Sequence, residues 1–135
     1  GALFGLTRFS NKSHIARSVL ESVAFQSFEL LQSMEKDLDI EFQNLKVDGG
    51  MVSNNLLMQF QSDILNKTII SQEINEITAL GAGVASFIFA ENLKIENVGD
   101  FISTSKTWNP NMSNKSREDL LTSWFKAIEK SKHWL

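Results

Sequence analysis

The chain has 135 residues, which is enough for one domain at most. Its 13 Lys and Arg residues against 16 Asp and Glu residues give a formal charge of -3, which argues against a nucleic-acid binder. The absence of Cys excludes disulfides, thiolate metal ligands and a Cys nucleophile. The longest apolar stretch, residues 84–90, is shorter than the roughly 18 residues of a membrane span, and the opening GALF does not resemble a signal peptide. We therefore expect a folded cytoplasmic protein.

A long helix is predicted in the first third of the chain, after an apolar loop or strand end at residues 1–9. It should run from His14 to about Leu38 with Ser13 as its N-cap, because Ser favours that position. Its apolar positions recur at steps of three and four, which places them on one helix face. These positions are Ile15, Leu20, Val23, Ala24, Ser27, Leu31, Met34 and Leu38.

Two short strands are predicted in the middle of the chain, at residues 45–47 and 68–70, each followed by a helix. The first is indicated by its position before Gly-Gly and the second by its β-branched residues. The helix after the second strand should run from Glu76 to about Glu91, and Gly81 and Gly83 within it indicate a close approach of another backbone. The predicted buried positions are Val52, Leu56, Leu57, Phe60 and Ile64 in the first of these helices and Ile77, Leu80, Val84, Phe87 and Ile88 in the second.

The last third is predicted to be irregular from Leu93 to Pro110, with a short helix around Val98 to Ile102. A final helix should run from about Ser116 to Lys132. Its buried side should carry Leu120, Leu121, Trp124, Phe125 and Ile128. The order helix, strand, helix, strand, helix predicts an α/β layered fold.

The stretch Asp48-Gly49-Gly50 and the helix after it form the part of the sequence best suited to a nucleotide. A Gly pair after a strand lets a ligand approach the backbone, and a helix amino terminus favours a phosphate. Asn54, in the first helical turn, could direct its amide at the ligand. An alternative stays open, in which this is only a tight β-to-α turn and Asn54 caps the helix or is solvated. Ser53 and Asn55 are interpreted as helix-start residues.

Other candidate residues have structural interpretations that we prefer. His14 is predicted to lie at a helix start, His133 at a solvated terminus, and Glu21 on a partly exposed helix face. The TALGAG stretch, residues 78–83, lacks the Gly-Lys-Ser/Thr of a P-loop, and no metal-ligand spacing is present. We therefore predict no catalytic residue and no metal ligand. Three Trp residues are interpreted as packing residues: Trp108, Trp124 and Trp134.

Several separated motifs resemble the FGGY family of carbohydrate kinases. Gly1-x-Leu3-x-Gly5-Leu6, followed after seven residues by HIARSVLE (residues 14–21), resembles the family's second signature. The stretches GLTR (5–8), VDGGMVSNNLLMQFQSDIL (47–65) and EITALGAG (76–83) resemble the carboxyl-terminal part of the glycerol kinases within that family. The motifs occur in the family's order, and the resemblance is strongest up to about Ala85.

The resemblance implies an ATP-dependent phosphotransferase that converts ATP and glycerol to ADP and sn-glycerol 3-phosphate with Mg²⁺. It implies a partial actin-like (ribonuclease H-like) domain, the carboxyl-terminal half of the second domain of such a kinase. By motif position, Gly50 contacts the ATP or ADP, Asn54 lies beside the adenosine moiety, and Gly49 belongs to the same turn. The TALGAG helix would pack beneath that turn.

In this family the catalytic Asp, the glycerol site and the phosphate loops lie upstream of the resembling region. We therefore expect residues 1–135 to be a single carboxyl-terminal fragment that is inactive alone, with no Mg²⁺ ligand and no glycerol site of its own. Uncovered apolar surface could lead to self-association. Two alternatives stay open: a non-catalytic remnant that binds nucleotide weakly or serves as an interaction module, and a part of a kinase for another polyol or sugar. A split gene is a further origin of such a chain.

Overall fold

A computed structural model describes residues 1–72, 77–91 and 104–132. A one-turn 3₁₀ helix at Gly50–Ser53 joins the first strand to the second α-helix. The order of elements confirms the predicted α/β class. The elements are α1 (Lys12–Leu38), β1 (Asn44–Val47), α2 (Asn55–Leu65), β2 (Thr68–Gln72), α3 (Ile77–Glu91), β3 (Thr104–Trp108) and α4 (Asn114–Ser131).

The three described strands form a mixed sheet in the order β1-β2-β3. β1 pairs with β2 in parallel, with Leu45 opposite Ile69, and β3 pairs with β2 antiparallel, with Trp108 opposite Ile69. The prediction of irregular structure was wrong for β3. Thr and Trp within TSKTW favour strands but Ser and Lys do not, and this short mixed sequence becomes a strand by pairing with β2. The helix predicted around residues 98–102 lies outside the described residues.

The core has two apolar clusters, and α2 contributes to both. One joins α2 to the sheet through buried residues that include Leu57, Ile69 and Trp108. The other joins α2 to α1 and α4 around Phe25, Phe60 and the half-buried Trp124. The packing interpretation of Trp108 is thus confirmed, and Trp124 stacks on Phe25 with ring centroids 5.0 Å apart. Trp134 lies outside the described residues.

The start of α1 differs from the prediction, because Asn11 and not Ser13 is its N-cap. The Asn11 side-chain oxygen accepts the backbone N–H groups of Ser13 (3.0 Å) and His14 (3.2 Å), and His14 Nδ1 accepts the Asn11 N–H (3.2 Å). This reciprocal capping box satisfies donors at the helix start, so the helix begins two residues earlier than predicted. It confirms His14 as a helix-start residue.

The buried face of α1 is shorter than predicted. Ala24 and Leu31 are buried as expected, together with Phe25, but both ends of the predicted face and Val23 in its middle are exposed. Only the middle of this helix is covered by the other described elements. The predicted core residues that are exposed are Ile15, Val23, Met34 and Leu38.

The other helices also depart from their predicted faces. Leu56 of α2 is 42% exposed, because it lines an open groove together with Arg17 of α1 and Leu120 of α4. In α4 the predicted face is half-buried apart from Phe125, which is exposed, and the helix starts at Asn114 because Ser113 is its N-cap. The remaining positions predicted for this helix are buried: Leu57, Phe60 and Ile64 in α2, and Val52 in the preceding 3₁₀ turn.

The predicted buried face of α3 is confirmed only in part. Val84 is buried and Leu80 and Ile88 are half-buried, but Phe87 is exposed. A methyl group added at Gly81 or Gly83 would meet no described heavy atom within 4 Å, so the close backbone approach is not found in the described part of the chain. The side chain of Ile77 lies outside that part.

Candidate functional site

The turn after β1 has the backbone geometry that its Gly pair suggests. Gly49 has φ 90° and ψ 173°, a region that is essentially reserved for Gly. Gly50 then opens the 3₁₀ turn, in which the Val52 N–H donates to the Gly49 carbonyl at 3.1 Å. Val52 is buried in the core, so it anchors the turn while Gly50 remains exposed.

Asn54 lies at the junction between this turn and α2, where it is the N-cap and not a residue of the first helical turn. Its side-chain oxygen accepts the Leu57 N–H at 3.1 Å, and its backbone N–H donates to the Met51 carbonyl at 3.0 Å. Capping by Asn54 is therefore observed. It occupies only the oxygen of the side-chain amide, so the amide nitrogen can still donate to a ligand. The two interpretations of Asn54 are compatible.

The residues beside Asn54 have the helix-start roles that the sequence predicted. The Ser53 hydroxyl donates to the Gly50 carbonyl at 2.8 Å, and Asn55 is the first residue of α2. The first turn of α2 contains no acidic side chain. Its unpaired N–H groups and the positive end of its dipole are thus available to an anion.

No described residue fills the space in front of Gly49 and Gly50. A methyl group added at Gly49 or Gly50 would meet no described heavy atom within 4 Å. A ligand can therefore approach this backbone closely, and a side chain at Gly50 would occupy the same space. The turn fits a nucleotide in three respects: open backbone, an available amide donor and a helix amino terminus.

Lys106 of β3 lies next to this turn, and the sequence interpretation missed it because β3 was not predicted. Its ammonium donates to Asn55 Oδ1 and lies 5.2 Å from the centroid of the Trp108 ring. The antiparallel pairing brings Lys106 opposite Ser71, close to the carboxyl end of β2. Only a correct sheet topology could have indicated this neighbour of Asn55.

Comparison with known proteins decides the family. The family description "FGGY family of carbohydrate kinases, C-terminal domain" matches residues 1–89. The chain belongs to the FGGY family. The glycerol kinase of Corynebacterium kroppenstedtii is 42% identical over 135 residues, which cover 99% of this chain and 26% of that protein.

Solved structures agree with the assignment of this chain to the FGGY family. The crystal structure of Plasmodium falciparum glycerol kinase with ADP matches with a TM-score of 0.87 and 32% identity, covering 99% of this chain and 27% of that one. A xylulose kinase from Lactobacillus acidophilus matches with a TM-score of 0.75 at 20% identity, a likeness of fold alone. The chain spans about a quarter of the length of the relatives it matches.

A partly buried ion pair lies at the opposite edge of the sheet from the turn Gly49–Asn54. Lys67, which precedes β2, places its ammonium 2.9 Å from Glu35 and 3.6 Å from Glu41. The hydrogen bond from Lys67 and a second from the Phe42 N–H (2.8 Å) lower the pKa of the Glu35 carboxyl. Because β1 and β2 are parallel, the turn after β1 and a residue before β2 lie at opposite sheet edges. This pair therefore lies away from the candidate site.

The other polar residues that the sequence offered as functional candidates have no functional partner among the described residues. Glu21 pairs with Arg17 at 2.6 Å on a partly exposed helix face, as predicted. Among residues 1–72, 77–91 and 104–132, no group of three or more His, Asp and Glu side chains could hold a metal ion. Within the same ranges no helix is long and apolar enough to cross a membrane. His133 lies outside them.

Proposed function

We propose that this chain is the nucleotide-binding, carboxyl-terminal portion of a cytoplasmic glycerol kinase and that it binds ATP or ADP at the turn Gly49–Asn54. The observation that carries the proposal is the coincidence of the motif VDGGMVSNN with an open Gly turn that ends in a half-buried Asn. The 42% identity to a glycerol kinase over 99% of the chain supports glycerol kinase over other members of the family.

Each residue of the turn has a distinct role in this proposal. Gly49 supplies the left-handed backbone that directs the chain away from β1. Gly50 allows the nucleotide to contact the backbone, since no Cβ stands in the way. Asn54 donates its amide N–H to the adenosine moiety while its oxygen holds the start of α2.

The whole reaction needs groups that the family places upstream of this region. Transfer of the γ-phosphoryl group of ATP to glycerol requires a base for the hydroxyl proton, a glycerol site and Mg²⁺ between the phosphates. The resemblance assigns those groups to other segments. We therefore propose that this chain by itself binds nucleotide and does not phosphorylate glycerol, and that Mg²⁺ ligands and the glycerol site belong to the upstream part of the enzyme.

A second role, as an interaction module or self-associating remnant, is favoured by the apolar surface at the amino-terminal segment. Large apolar side chains are exposed there without a cover among the described residues. They are Leu3, Phe4, Leu6 and Phe9, which are 52–74% exposed.

Calorimetric titration with ADP tests the nucleotide role. We expect saturable ADP binding by the chain and about tenfold weaker binding by Asn54→Ser, the loss that one hydrogen bond explains. Ser caps a helix about as well as Asn, so the melting temperature of this variant should stay within about 2 °C of wild type. Asn114→Ser, the same substitution at the exposed start of α4, is the matched control and should leave both quantities unchanged.

Two results would contradict parts of this proposal. If the folded chain gives neither heat nor a thermal shift with millimolar ADP, the nucleotide role is lost and the interaction role remains. A glycerol-dependent formation of ADP from ATP by the pure chain would instead contradict the proposed lack of catalysis.

A further inference from the structure

The segment that begins with β3 runs along α2 and is hydrogen-bonded to it from one end to the other. The bonds include side chains of α2 and of β2, and they hold the segment to the helix that Asn54 caps. They are Lys106 Nζ to Asn55 Oδ1, Ser62 Oγ to the Trp108 carbonyl (3.1 Å), Gln59 Nε2 to the Asn109 carbonyl (2.9 Å), Thr68 Oγ1 to Asn109 Oδ1 (3.0 Å), and the Asn111 and Met112 N–H groups to Asp63 Oδ1 (2.6 and 3.1 Å).

Lys106 makes the contact at the end of α2 that carries the turn. Its partner Asn55 directly follows Asn54 in the chain. The Lys106 backbone is held by pairing with β2, where its carbonyl accepts the hydroxyl of the buried Ser71 at 3.4 Å. The ammonium therefore reaches Asn55 from a fixed strand, and it ties that strand to the first residue of α2.

The Lys106 ammonium lies at the amino terminus of α2, which is an unfavourable position for a cation. The amino terminus of a helix carries partial positive charge, which repels an ammonium group. The Asn55 oxygen and the face of the Trp108 ring hold it there, the latter by a cation–π contact. Trp108 is 6% exposed and belongs to the core, so this support is rigid.

We propose that Lys106 is a positioning residue of the nucleotide site: it holds Asn55 and thereby fixes the first turn of α2, so that Asn54 presents its amide in one orientation. The inference rests on the proposed nucleotide role of the turn. It adds to that role a residue from β3, far from the turn in sequence and outside the FGGY motifs. A ligand would then bind a preorganised turn and lose less affinity to ordering it.

Titration of Lys106→Met with ADP and with adenosine tests the proposal. Met keeps an apolar stem over Trp108 and removes the donor to Asn55. We expect both affinities to fall by the same factor, about fivefold, because the adenosine contact is loosened and no phosphate contact is removed. Lys106→Arg, which keeps a charged donor, should recover most of the loss. In an Asn55→Ala background, Lys106→Met should have no further effect, since the coupling runs through Asn55.

Thr68→Val is the matched control, because it breaks the Asn109 bond to the same segment away from the turn. It should leave both affinities unchanged. Loss of ADP affinity with unchanged adenosine affinity would overturn the positioning role in favour of a direct phosphate contact. Wild-type affinities in Lys106→Met would overturn the inference while leaving the proposed function intact, whereas a wild-type chain that binds neither ligand would refute both.

Discussion

Helices α2 and α3 are both rich in apolar residues but have very different surroundings. Each follows one of the two parallel strands, and each contains a single charged residue, Asp63 or Glu91. Seven of the eleven residues of α2 are buried between α1, α4 and the sheet. In α3 only Val84 is buried among the described side chains, and Phe89 is 89% exposed.

The difference shows that an apolar sequence indicates that a helix packs against other residues. It does not identify which residues these are. α2 finds its cover within this chain, and the turn that it extends is therefore held on several sides. The described residues provide little cover for α3. We expect further cover to come from the part of the longer FGGY relatives that this chain does not span, which amounts to about three quarters of their length.

The largest effect should come from truncating a buried side chain of α2. Ile64 is completely buried in α2, so Ile64→Ala should lower the free energy of unfolding by about 2–5 kcal/mol. Phe89→Ala in α3 removes a larger side chain that is exposed, and it should change stability by no more than about 0.5 kcal/mol. Urea unfolding followed by circular dichroism measures both. Equal losses would mean that α3 is covered in solution.

A smaller effect is expected at the ion pair beneath the end of α2. Glu35→Gln should cost about 1–3 kcal/mol at pH 7, because it leaves the buried Lys67 ammonium with only the more distant Glu41. Since folding lowers the Glu35 pKa, the stabilisation is complete above the ordinary carboxyl pKa of about 4.3 and is lost as the pH falls through the folded value.

Unfolding midpoints measured from pH 7 to pH 3 check this dependence. The wild-type curve should fall more steeply than that of Glu35→Gln below about pH 4.3. The exposed Glu118→Gln is the control and should follow wild type. Parallel curves for Glu35→Gln and wild type would show that the pair contributes nothing to the acid sensitivity.

The smallest effect should have the opposite sign. Gly81→Ala in α3 should raise stability by about 0.5–1 kcal/mol, because Ala favours a helix interior over Gly and no described atom obstructs the added methyl group. The same urea experiment measures it. If Gly81→Ala instead destabilises the chain, another backbone approaches Gly81 closely, as the sequence suggested, and α3 packs tightly in solution.

Local patterns predicted much of this fold. The periodicity of α1, α2 and α4 and the β-branched start of β2 are short-range signals, and they located these elements to within a few residues. β3 could not be predicted in the same way. Its strand structure depends on pairing with β2 across more than thirty residues, and its polar sequence carries no sign of that partner.

The candidate site shows the same division. The Gly pair and Asn54 were visible because the chemistry of a turn is local. The capping role of Asn54 was one of two open interpretations and is confirmed, whereas its contact with a nucleotide stays a prediction. Lys106 and the pair of Lys67 with Glu35 were invisible, since each joins residues more than thirty positions apart.

Contact between the nucleotide and this turn is tested most directly by titrating Gly50→Ala with ADP and following its thermal unfolding. A methyl group at Gly50 would touch no neighbour in the described part of the chain, so the fold should tolerate the substitution, whereas a nucleotide against the turn should not. We predict an unchanged melting temperature and at least about tenfold weaker ADP binding. Wild-type ADP affinity in a folded Gly50→Ala chain would show that the nucleotide does not contact this turn.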